Sequence, residues 1–203
     1  MYKNNVGAPY VLRNYVAGHE PPADITIAKA MLATCATPPM FTPTSVYKDF
    51  SDFEYIGGDV GLSNPTAEVI AEAHRAFSDD TTVACLLSVG CGHSGVKKSP
   101  LGSGVPTWID FLNHVTMDSE KTAHEMATRM KHLTLYHRLC VDHGLTADQS
   151  SVWMDPVVIV THTAAYLGDL EVIERVNHCA DTINHGDGFT TLEQLSACLI
   201  NIR

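Results

Sequence analysis

The chain has 203 residues, 45% of them hydrophobic, with 13 basic against 23 acidic side chains and a formal charge of −10. That is apolar material for one sizeable domain with its own core, and too much for a disordered segment. The acidic balance excludes nucleic acid and an anionic bilayer as natural electrostatic partners, so any membrane contact would be hydrophobic and peripheral. No run reaches the ~18 to 20 apolar residues of a membrane span, and the segment Met1 to Pro9 lacks the apolar stretch of a signal peptide. The expected setting is intracellular and cytoplasmic, neither secreted nor transmembrane. Six scattered cysteines, Cys35, Cys85, Cys91, Cys140, Cys179 and Cys198, without a C-x-x-C pair, suit reduced thiols, and no disulfide is assigned.

In chain order, Tyr10 to Tyr15 alternates like a strand, and Asp24 is placed to cap a helix from Ile25 to about Thr34. Phe53 to Ile56 reads as a short strand. It runs into Gly57-Gly58-Asp59 and then Asn64-Pro65, a helix start that carries the chain to about Phe77. Thr82 to Val89 is an unbroken apolar run, the pattern of a strand covered on both faces and expected at the centre of a sheet with helices 25–34 and 65–77 packed on it. Gly92 to Pro106 is a long loop. From Thr107 to about Leu135 the pattern is mostly helical, with Trp108, Phe111, Leu112 and Val115 at core-facing spacing.

Of all these segments, residues 56 to 65 carry the most chemistry. Glycines permit close backbone approach, and one carboxylate, Asp59, stands between a strand and a helix start, where α/β enzymes present a catalytic acid or base. Asp59 is the candidate base, with Gly57, Gly58 and Asn64 as the motif loop. It is expected at the carboxyl end of a strand with its carboxylate facing a cleft.

Four blocks resemble those of patatin-like acyl hydrolases. Ile27 to Phe41, with Ala33-Thr34-Cys35-Ala36-Thr37-Pro38, is similar to the family's "W-x-A-x-x-A-T-S-A-A-P-x-x-F". Ala84 to Gly92 resembles the "L-S-L-G-T-G" strand and turn, while Tyr136 to Leu145 and His162 to Leu167 resemble "Y-x-R-F-N-V-x-x-G-L" and "H-T-x-x-Y-L" of fungal-type members. The resemblance implies an α/β fold, part of a three-layer domain with a mostly parallel sheet and a helical C-terminal region. Residues 1–183 would be the C-terminal portion of that domain and residues 184–203 a closing turn and helix. It further implies a Ser-Asp dyad acting on lipid acyl esters without metal or organic cofactor.

The family's serine elbow and oxyanion loop precede everything matched, and these residues contain neither; Ser94 and Ser103 lack the glycine spacing of an elbow. Registering on Asn64-Pro65 puts the family's aspartate at Gly57, so the carboxylate is displaced to Asp59. On extended backbone two positions are about 6 to 7 Å apart, too far for proton transfer unless the loop shifts. The residues alone are expected to be inactive, with a degenerate lipid-binding or protein-interaction module as the alternative.

Histidine-based metal sites are not expected. His137 and Cys140 of His137-x-x-Cys140-x-x-His143 would point to opposite faces of a strand, and His132, His137 and His162 read as surface or core-satisfied. A calcium loop over Ile183 to Gln194 lacks the key carboxylates, leaving a turn in which Thr190 or Thr191 caps a terminal helix.

Overall fold

The computed structural model describes residues 9–38, 41–48, 50–92, 108, 111–112, 115, 119–142, 145, 155–186 and 188–200. The chain divides into two compact units, Met1–Ser63 and Asn64–Arg203. The architecture is mixed α/β.

In the first unit, helix α1 (Ile27–Cys35) is capped by Thr26, whose hydroxyl accepts from the Lys29 amide, so the cap lies two residues beyond the expected Asp24. Strands β1 (Thr44–Lys48) and β2 (Ser51–Tyr55) form an antiparallel hairpin in the register Val46 to Phe53. The alternation at Tyr10 to Tyr15 does not become a strand. Instead Tyr10 and Leu12 pack on a core of Ala33, Val46 and Tyr55, with the Tyr10 and Tyr55 rings 5.6 Å apart. Helix α1 packs on β1. A single turn, α2 (Asp59–Leu62), follows.

The second unit begins with α3 (Thr66–Ala76), whose apolar face carries Ile70. Its core joins Ile70 to Met126 of α4 (Ser119–Arg129), to Met130 and Leu135, and to Leu192 and Leu195 of α7 (Leu192–Ile200). The apolar run at 82–89 is two strands rather than one. β3 (Thr82–Val83) pairs antiparallel with β6 (Thr190–Thr191), and β4 (Leu86–Val89) pairs parallel with β5 (Tyr136–Leu139). Leu87 and Val89 are 42% and 72% exposed, so β4 has one covered face and not two. Among the described residues the sheets are three separate two-stranded ladders, two of them antiparallel.

Two further helices, α5 (Pro156–Leu167) and α6 (Leu170–His185), are capped by Asp155 and Asp169, and α6 runs through positions 183–184 without a break. Gly186 ends α6 in the left-handed region at φ 67°. Thr191 and Gln194 then form a reciprocal capping box at the start of α7, so Thr191 is the cap and the segment is a turn. Among the described residues no single helix is long and apolar enough to cross a membrane. Ser94, Ser103, His143 and most of the 92–106 loop lie outside the described residues.

Candidate functional site

Asp59 comes four residues after Tyr55, the last residue of β2, and β2 is half of a hairpin and not a strand of a parallel sheet. The chain turns at once: Gly58 is already helical (φ −77°, ψ −9°), and Asp59 opens α2. The estimate of side-chain separation on extended backbone therefore does not apply. The Asp59 carboxylate is held within the first unit, where Thr37 Oγ1 donates to Asp59 Oδ2 at 2.5 Å. Thr37 is buried and Asp59 exposed. Among the described residues Asp59 makes no ion pair.

Gly57 fixes that geometry. Its amide donates to the Ala36 carbonyl at 2.9 Å, bringing the motif loop against the helix-to-loop segment. A Cβ at position 57 would lie 2.7 Å from Thr37 Oγ1 and 2.9 Å from the Thr34 carbonyl oxygen, closer than real Cβ atoms approach. The position at which the patatin pattern carries its aspartate has no room here for any side chain unless its surroundings move.

The second unit brings together three of the sequence blocks. Asn64 is buried; its Oδ1 accepts from the Thr66 amide (3.2 Å) and hydroxyl (2.6 Å), and its Nδ2 donates to the Ser119 carbonyl (3.2 Å). Thr66 Oγ1 lies 3.4 Å from Ser88 Oγ on β4. Arg138 on β5 donates to Ser88 Oγ (3.0 Å), to Ser119 Oγ (3.0 Å) and to Glu120 Oε1 (2.9 Å). Burial pulls the Arg138 pKa down, while its hydrogen bond to Glu120 and the charges of Cys140, Glu120 and Tyr136 pull it up, and the balance lies above the ordinary arginine value. Arg138 was not singled out as a site residue. The signal that marks it is an arginine at an inward position of a strand, where a charge persists only if paired.

Beyond β5, the Cys140 amide donates to the Tyr166 hydroxyl at 3.1 Å, tying the last two blocks together. His162 and Tyr166 help line a cleft of about 290 Å³ with Asp142, Asp169 and Arg175. A second cleft of about 330 Å³ is lined by Ala84, Leu135, His178, Asp181 and Phe189, among others. Asp59 lines neither. His137 departs from the satisfied state expected of it: its Nε2 is buried without a hydrogen-bond partner among the described residues. Burial, then the neighbouring His178 and Arg175, hold its pKa below the ordinary histidine value. Comparison with family models, with curated proteins and with solved structures gives no match.

Proposed function

We propose that these residues belong to a patatin-like serine acyl hydrolase acting on phospholipid-type acyl esters, and that they supply its carboxylate loop and some of its strands and helices. One observation carries this reading. Ser88 and Arg138, from two of the blocks on which the resemblance rests, meet Asn64 of the motif loop through Thr66 in one hydrogen-bonded network although they are far apart in sequence. On this reading the parallel β4–β5 pair is part of a mostly parallel sheet in a three-layer domain, completed by strands outside these 203 residues. Asp59, with Oδ2 engaged by Thr37, keeps Oδ1 to accept the proton of a serine presented by that missing part. The reaction needs no cofactor, and its setting is intracellular.

A non-catalytic lipid-binding or protein-interaction module is the second reading, favoured by the absence of a serine elbow from the sequence and by the lack of room at Gly57. A fluorophosphonate serine probe separates the two. The 203 residues alone stay unlabelled, and the same residues preceded in frame by a Gly-x-Ser-x-Gly segment of the parent gene become labelled and hydrolyse a p-nitrophenyl acyl ester. A parent gene without such a segment, or an extended chain that stays unlabelled, establishes the second reading.

A further inference from the structure

In the second unit, Cys85, His137 and Cys179 converge from three elements so that one ligand atom of each lies within 4.8 Å of the other two. Cys85 precedes β4, His137 is on β5 and Cys179 is on α6. The parallel register pairs Leu87 with His137, and Cys85 is two residues before Leu87, so Cys85 and His137 fall on the same face of the ladder. Helix α6 packs against β5 and brings Cys179 to that face. We propose that these three side chains form a zinc site that clamps the β4–β5 ladder to α6.

The donor set selects the ion. Two sulfurs and an imidazole, with no carboxylate in the group, suit Zn²⁺ and not Mg²⁺ or Ca²⁺. Zinc–ligand bonds of about 2.3 Å to sulfur and about 2.0 Å to nitrogen bring tetrahedral ligand atoms roughly 3.5 to 3.8 Å apart, so the cluster has to tighten by only about 1 Å. Two thiolates neutralise the dication, so the interior gains no net charge. A ligand role also accounts for the orphaned His137 ring nitrogen. Burial, together with Cys85 nearby, pushes Cys179 up to about 11, so it carries a proton that a bound metal would have to displace. Binding therefore releases protons and tightens as pH rises. The fourth position is left to water. None of these residues belongs to the Thr37–Asp59 loop, so the site stands or falls apart from the acyl-hydrolase reading.

The test uses the unmutated chain first. Zn²⁺ should protect Cys85 and Cys179 from iodoacetamide, as mapped by mass spectrometry, while Cys35, Cys91 and Cys198 still react. Co²⁺ should give thiolate-to-metal charge-transfer absorption and the visible bands of a tetrahedral site. Cys85→Ser and His137→Gln should each weaken Zn²⁺ in chelator competition by more than about 10-fold, with Cys35→Ser unchanged. Co²⁺ spectra without charge transfer, equal zinc protection of all the cysteines, or recovery of Cys85 and Cys179 as a disulfide from protein isolated without oxidant would overturn the proposal.

Discussion

Position 57 shows how little a single residue's identity says without its neighbours. The patatin pattern has alanine where this chain has Thr37, and aspartate where it has Gly57; here the larger residue at 37 fills the space that a side chain at 57 would need. Gly57→Asp, which on sequence alone looks like a repair, is therefore expected to cost about 1 to 3 kcal/mol in urea unfolding, by overpacking. Thr37→Ala in the same chain should recover part of that loss, leaving the Thr34 carbonyl contact, so the two changes couple in a double-mutant cycle. Additive effects would mean that the contact carries no energy. Asn64 is the opposite case, legible from the start as a helix opener because an asparagine before proline has few other uses. Its three hydrogen bonds in a buried setting predict that Asn64→Ala loses about 1 to 3 kcal/mol, by leaving the Thr66 amide and the Ser119 carbonyl unpaired.

Elements with a strong local signal could be read from the sequence. Helix α3 runs within a residue or two of its expected span because its cap and its apolar face agree. The apolar run at 82–89 misled, since hydrophobicity shows that a strand exists but not that its partner changes: β3 joins β6, and β4 joins β5 after Ala84-Cys85. The β1 half of the hairpin was missed for a different reason. Its two-residue turn contains Phe50 at φ 60°, where hairpins usually carry glycine or asparagine, so the usual punctuation is absent. A bulky aromatic ring there is strained, and Phe50 is 94% exposed with no packing to lose. Phe50→Gly should therefore stabilise the first unit by about 1 kcal/mol, read as protection of the β1–β2 amides from hydrogen exchange. Unchanged or faster exchange would show that the conformation costs nothing.

Each unit has its own core, and no residue is shared between the Ala33, Val46 and Tyr55 cluster and the Ile70, Met126, Met130, Leu135, Leu192 and Leu195 cluster. Both tryptophans, Trp108 and Trp153, belong to residues 64–203, so indole fluorescence reports that unit. Ile70→Ala is expected to shift the fluorescence-detected urea transition by about 2 to 5 kcal/mol. Val46→Ala should lower far-ultraviolet dichroism stability by about 2 kcal/mol and leave the fluorescence transition in place. A fluorescence shift in Val46→Ala would show that the units unfold together. The three-ligand cluster was invisible in the sequence on this same scale. Cys85, His137 and Cys179 have no local spacing motif, and only the β4–β5 register together with the packing of α6 makes them neighbours.

The core that joins Ile70 to Leu192 and Leu195 also governs the order in which the chain can be built. On a ribosome α1 and the β1–β2 hairpin of the first unit have emerged by Ser63, and the Ala33, Val46 and Tyr55 core can form at that point. In the second, α3 gains Met126 and Met130 when α4 emerges, but β3 must wait for β6, and the core for Leu192 and Leu195 of α7, more than a hundred residues after β3. At a synthesis rate of ~5 to 20 residues per second that wait is on the order of ten seconds, with the strand at 82–83 open to any other nascent chain. Silent codon changes that slow translation between residues 84 and 189 should therefore lower the soluble yield of this protein without altering a single side chain, while the same slowing before residue 63 should have little effect.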